Sequence, residues 1–199
     1  VAKLAVLASG SGSNFEALAL ALRARPESEG PRHGCAMLIY DRKAAFAAQR
    51  AARLGIGSRY VTYMGRTREE AEAEIAAILS EEKADLIALA GFMRIFTPDF
   101  VRGWKGRVVN IHPALLPKWP GAHAIRDAFE AGERIYGATV HYIDEGVDTG
   151  PLIARESFDS REGESIESIE ERTHEIEHRL YPRVVLELLD KIESSRRPR

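Results

Sequence analysis

The run Ser9-Gly-Ser-Gly-Ser-Asn14 constrains this chain more than any other stretch. Before it, Lys3 to Ala8 is an apolar run of strand length; after it, Phe15, Leu18 and Leu22 recur at helical spacing. The order is strand, glycine-rich turn, helix. Such a turn aims free backbone N–H groups and the positive end of the helix at an anion, typically a phosphate. A dinucleotide fingerprint needs Gly or Ala at its sixth position, where helix and strand pack closely. Gly10 and Gly12 fit that pattern, but Phe15 holds the sixth place. The turn therefore suits one phosphate group; the plainer alternative is a tight turn with no ligand.

The alternation continues down the chain. Residues 35–40, 59–63, 86–90, 108–112, 137–143 and 151–158 read as strands, the last near a sheet edge because Pro151 opens it. Residues 44–54, 67–82, 124–131 and 165–192 read as helices, with a further short one after Thr97-Pro98 and an irregularity at Pro182. This order predicts a single-domain α/β fold with a mostly parallel sheet flanked by helices. Ligands then belong at the carboxyl ends of the strands.

Three more stretches fall at such ends. Val108-Val-Asn-Ile-His112 places Asn110 and His112 on one face of a strand that Pro113 terminates. An amide can donate to a developing oxyanion, and an imidazole can move a proton near neutral pH. The alternative is a buried polar pair satisfied by loop backbone. Gly91-Phe-Met-Arg-Ile-Phe96 sets large apolar residues around one arginine, as in a pocket wall, and Asp144-Glu-Gly-Val-Asp-Thr-Gly150 is a tight acidic loop. In that loop Asp148 alone would pass for a turn former. Arg68, a cation in the first turn of a helix, opposes the helix dipole and so hints at another task.

Several classes are set aside. A net charge of −2 argues against a nucleic-acid binder. The dense basic run Arg196-Arg-Pro-Arg199 reads as a frayed tail. One cysteine, Cys35, cannot form an internal disulfide and suits a reducing cytoplasm, and no segment has the apolar length of a membrane span. His174-Glu-Ile-Glu-His178 matches H-E-x-x-H, but no third zinc ligand has a recognisable spacing. No metal is expected.

Taken together, Ser9-Gly-Ser-Gly-Ser-Asn14, Ala90-Gly-Phe-Met-Arg-Ile95, Asn110-Ile-His-Pro-Ala-Leu-Leu-Pro117 and Gly146-Val-Asp-Thr-Gly-Pro151 resemble the 10-formyltetrahydrofolate-dependent formyltransferases. Within them the chain resembles the phosphoribosylglycinamide formyltransferase family of purine biosynthesis. The resemblance runs through nearly the whole chain and implies a Rossmann-like formyltransferase domain over residues 1–195, phosphate-binding in its N-terminal half and folate-binding in its C-terminal half. It implies 10-formyltetrahydrofolate as formyl donor, glycinamide ribonucleotide as acceptor, and a monomer or homodimer. Asn110, His112 and Asp148 match the family's catalytic trio, with His112 pictured as a protonated donor. Gly12, Ser13, Asn14, His174, Glu175, Ile176 and Glu177 match its ribonucleotide site. Arg68, Met93, Arg94, Ile95, Phe96, Asn110, Asp144, Glu145, Gly146 and Val147 match its folate site. Ala114, where many relatives carry serine, and Trp119 are departures. A formyltetrahydrofolate hydrolase or a methionyl-tRNA formyltransferase would carry a further domain, for which these residues leave no room. Outside the class, an oxidoreductase using Asp41 as ribose acceptor is opposed by Phe15, and a phosphate-binding module leaves the trio without a role.

Overall fold

A computed structural model describes residues 1–196. Strands β1 (Lys3–Ala8), β2 (Gly34–Tyr40), β3 (Ser58–Tyr60), β4 (Leu86–Leu89), β5 (Val108–His112), β6 (Ile135–Tyr142) and β7 (Leu152–Asp159) form one sheet in the order β3-β2-β1-β4-β5-β6-β7. The first five are parallel, and β6 and β7 add antiparallel. Helices α1 (Ser13–Ala24), α2 (Phe46–Arg53), α3 (Arg68–Glu81), α4 (Pro98–Gly103), α5 (Ala124–Glu130) and α6 (Ile166–Ser195) complete the domain.

The unbroken apolar run of β1 follows from its position at the centre of the sheet. Its pleat sends Leu4, Val6 and Ala8 into a core shared with α1, α2 and α6, and Ala5 and Leu7 into a second core under α3 and α4. A parallel strand covered on both faces must be apolar on both. By contrast β7, at the edge, alternates exposed and half-buried residues. The strand order reverses direction between β1 and β4, and the crevice at such a switch point is where ligands bind in open α/β sheets.

Helix α6 crosses Pro182 without a break. A mid-helix proline costs about 3 kcal/mol, and here Ile176, Leu180, Tyr181, Val184 and Val185 are buried against the sheet around it. Burial of apolar side chains, at about 1.5–3 kcal/mol each, outweighs that cost. Tyr181, fully buried, donates from its hydroxyl to the carbonyls of Leu89 and Val109, each at 3.0 Å. It thereby fastens α6 to β4 and β5 beside the switch point. Tyr181→Phe should lower stability by about 1–3 kcal/mol, read as an earlier urea midpoint, because two buried carbonyls lose a donor. An unchanged midpoint would show that the hydroxyl stabilises nothing.

Some boundaries differ from the sequence expectation. The third strand stops at Tyr60, since Val61 donates to the Tyr40 carbonyl but turns its side chain into the α3 core. The second helix starts at Phe46 because Ala45 is extended. The last helix runs on to Ser195, and Arg196, expected in a frayed tail, ion-pairs with Asp85. The remainder of that tail, 197–199, lies outside the described residues.

Candidate active site

A cleft of about 620 Å³ opens over the carboxyl ends of β1, β4 and β5. One end is the glycine-rich turn. Gly12 caps α1 at φ 73°, and a Cβ there would sit 2.6 Å from that of Ala47. Only glycine meets both demands. No side chain caps the N-terminus of α1, so its first amides and positive dipole end are left for a ligand. Facing the turn, Asn14 donates to Glu177 Oε2 at 3.0 Å, while its own Oδ1 is buried without a hydrogen-bond partner. Burial pushes the Glu177 carboxyl above its ordinary range, against the pull of Asn14 and His174.

Helical periodicity splits the segment 174–177. His174 and Glu177, three residues apart, reach the cleft, with His174 Nε2 4.0 Å from Glu177. Glu175 is exposed and Ile176 lies in the core. The rings of His174 and His178 stack with centroids 6.4 Å apart, and no group of three or more metal-ligating side chains occurs among the described residues.

The opposite end is apolar. Gly91, at φ 70°, turns the chain so that Met93 and Ile95 stand exposed on the cleft wall, while Phe96 stacks on Phe100 (4.2 Å) and Phe92 (5.5 Å). Arg94 lines the same wall, but its guanidinium turns back to Asp41 at 2.5 Å and lies over the Tyr63 ring. Asp41 is therefore a buried ion-pair partner, which removes it as a ribose acceptor. Arg68 extends to the Ile95 carbonyl at 3.4 Å. Asp144, Gly146 and Val147 line the cleft, whereas Glu145 points to Arg102 at 2.9 Å. Asp144 Oδ1 accepts from the Gly146 amide and the Thr149 hydroxyl, which folds the acidic loop back on itself.

At the centre the trio converges. Val109 and Ile111 of β5 turn into the α1–α6 core, so Asn110 and His112 face the cleft. Asp148, itself in the left-handed region at φ 55°, brings Oδ2 to 3.4 Å from His112 Nδ1. The Gly121 amide donates to the same oxygen at 2.8 Å. A non-glycine residue held at positive φ carries strain that clusters at functional sites. On the far side of the ring, His112 Nε2 donates to the Trp119 carbonyl at 2.7 Å. Trp119 is also at positive φ, 58°, and that turn is what aims its carbonyl at the ring. Ala114, the other departure, is buried, and its carbonyl accepts from Thr139 Oγ1.

A fourth side chain, absent from the sequence reading, completes the group. His141 lies opposite Asn110 in the β5–β6 register, and its Nε2 is 3.2 Å from the Asn110 amide nitrogen and 3.5 Å from Asp148 Oδ1. Its Nδ1 faces the Tyr142 carbonyl at 2.9 Å and so carries a proton. The Nε2 atom accepts from Asn110 when bare and donates to Asp148 when protonated. The Asp148 carboxyl is held down at about 2, first by the hydrogen bond from His141, then by the Gly121 amide and the two imidazoles, with burial opposing. Burial pushes the His112 imidazole below its ordinary value; the Trp119 carbonyl and the Asp148 charge pull upward without overcoming it. Both ring nitrogens face acceptors, the Trp119 carbonyl and the Asp148 carboxylate, so the geometry favours the imidazolium of the sequence reading while burial favours the neutral ring.

A family model described as formyl transferase matches residues 2–185. Phosphoribosylglycinamide formyltransferase of Bacillus subtilis (strain 168) is 40% identical over 190 residues, 94% of either chain. The trifunctional purine biosynthetic protein adenosine-3 of Drosophila melanogaster is 41% identical over 94% of this chain, which spans only 14% of that relative's length. Among solved structures, phosphoribosylglycinamide formyltransferase from Bacillus halodurans superposes with a TM-score of 0.88 at 37% identity, over 95% of this chain and 96% of that one. Glycinamide ribonucleotide transformylase 1 from Geobacillus kaustophilus gives 0.86 at 42%, over 94% and 98%. Since the matched span takes in the glycine-rich turn, the apolar wall and the whole Asn110–His112–Asp148 centre, the chain belongs to the formyl transferase family.

Proposed function

We propose that the protein transfers the formyl group of 10-formyltetrahydrofolate to the primary amine of glycinamide ribonucleotide. The observation that carries this reading is the Asp148 carboxylate set between two imidazoles beside the Asn110 amide, midway between an anion-binding turn and an apolar wall. The names of the relatives support it.

The turn at Gly12, Ser13 and Asn14 would hold the phosphate, and Glu177 with His174 would hold the ribose–glycinamide side. The wall 93–96 and the loop 144–147 would hold the folate, with Arg68 at its rim. The acceptor amine attacks the formyl carbon, and the carbonyl oxygen gains charge. The Asn110 amide donates to that oxygen, the kind of placement that stabilises tetrahedral adducts. Neutral His112 takes the proton the amine must lose, and Asp148 stabilises the resulting imidazolium. The same proton is then delivered to the departing folate nitrogen as its bond to carbon breaks, leaving tetrahydrofolate and a formamide.

The test is release of tetrahydrofolate from 10-formyltetrahydrofolate with and without glycinamide ribonucleotide. Release that requires the ribonucleotide, with one formyl group transferred per tetrahydrofolate, supports the reading. Release without it would indicate a hydrolase, and no release in either case would refute formyl transfer. The division of the cleft has its own check. Asn14→Ala removes a side chain of the proposed phosphate end together with its hydrogen bond to Glu177, so KM for the ribonucleotide should rise about tenfold, the worth of one hydrogen bond to a charged phosphate group. KM for the folate should change far less, and equal changes in both would mean that the ends are wrongly assigned.

A further inference from the structure

The two ends of the cleft are mechanically joined behind its floor. Ser9, the first residue of the glycine-rich turn, donates from its amide to the Gly91 carbonyl (3.1 Å) and accepts from the Met93 amide on its hydroxyl (2.9 Å). A second link is longer. Arg94 on the apolar wall pairs with Asp41 at the end of β2. Asp41 leads into α2, which seats the turn: the Ala47 amide donates to the Gly10 carbonyl (3.1 Å) and Arg50 Nε to the Ser11 carbonyl (2.9 Å).

The ion pair is a costly way to add stability. The Asp41 side chain is only 1% exposed, and its Oδ1 is buried with no hydrogen-bond partner. Desolvation of such a carboxylate consumes most of the attraction it gains. Arg94 also stacks over Tyr63, 4.7 Å from the ring centroid, which fixes its direction along the back of the wall. Its guanidinium is thus committed to Asp41 and Tyr63 rather than left free at the cleft wall it lines.

We propose that Arg94 and Asp41 are positioning residues through which the two ends of the cleft bind their ligands cooperatively. An anion settling on the turn draws on the Gly10 and Ser11 carbonyls' partners in α2, and the Asp41–Arg94 pair carries the adjustment to the backbone of 93–96. Coupling of this kind is reciprocal: whatever factor one ligand adds to the other's affinity must be returned. The inference rests on the proposed formyl transfer for the identity of the two ligands.

Calorimetric titration of the intact chain tests it, with tetrahydrofolate and glycinamide ribonucleotide as probes, a pair with no formyl group to react. Saturating ribonucleotide should tighten tetrahydrofolate binding at least about fivefold, and saturating tetrahydrofolate should tighten ribonucleotide binding equally. Asp41→Asn and Arg94→Gln should each bring that factor toward unity, the double variant no further than either alone, and Arg94→Lys should retain most of it. The double variant also removes both charges together, so it avoids a stranded buried carboxylate if a single variant fails to fold. A purely structural pair would alter stability or both affinities yet leave the factor intact, and that result overturns the proposal. So does a factor near unity in the unmodified protein. Failure of the unmodified protein to bind either probe would instead remove the formyl-transfer reading beneath it.

Discussion

Asp148→Asn should slow single-turnover formyl transfer by about 10²–10⁴-fold, the span expected for a positioned acid–base group. The substitution keeps the shape of the side chain but removes the charge that faces His112 at 3.4 Å and His141 at 3.5 Å. An imidazolium formed at His112 would then stand in a buried site with no counter-charge. His112→Ala should fall in a similar range because it removes the proton acceptor itself. If the two act as one unit, the double variant loses less than the product of the single losses. Multiplicative losses would assign Asp148 a separate task, most directly the shaping of the loop 144–150.

Gly150→Ala should be nearly as damaging, through geometry alone. A Cβ at Gly150 would lie 1.8 Å from the Tyr142 carbonyl oxygen and 2.8 Å from its carbon. Both are backbone atoms at the end of β6, where Tyr142 also donates to the Pro151 carbonyl at 2.9 Å. The loop must therefore withdraw by an ångström or so, carrying Asp148, two residues earlier, away from both histidines. A displacement of about 1 Å at a reacting centre can cost 10²-fold in rate. Single-turnover rates should thus drop about 10²-fold or more, and the Asp148 carboxyl should titrate nearer its ordinary range as its donors retreat. Near-normal turnover would mean that the loop's exact seat on Tyr142 is immaterial.

Of the candidate centre, Asn110 and His112 were legible from local rules, whereas Asp148 entered only through the family resemblance. Period-two geometry is enough to put Asn110 and His112 on one face, and proline chemistry is enough to end their strand. His141 escaped because its meaning depends on β6 pairing antiparallel to β5 with Asn110 opposite it, a long-range register that no local pattern encodes. The Trp119 carbonyl escaped for a different reason. Positive φ is written into a sequence by glycine or asparagine, and here a tryptophan adopts it. Arg94 was read as a pocket residue from its neighbours; only the fold shows its guanidinium turned to Asp41. Reading 174–177 as a block likewise ignored the turn of the helix, which sends Ile176 inward and Glu175 outward. The sheet's parallel core was plain from strand–helix alternation, while the edge strand β3 came out shorter, ending at Tyr60 with one further amide, that of Val61, bonded to β2.

The central claim is that the Asp148 charge favours the protonated form of His112. An NMR titration of the His112 ring in the unmodified protein and in Asp148→Asn tests it most directly. Burial should place the unmodified ring below the ordinary histidine value. Loss of the neighbouring negative charge should lower it further, because the carboxylate favours the protonated ring. The account predicts a clear downward shift of the His112 pKa in Asp148→Asn. An unchanged or raised value would contradict it.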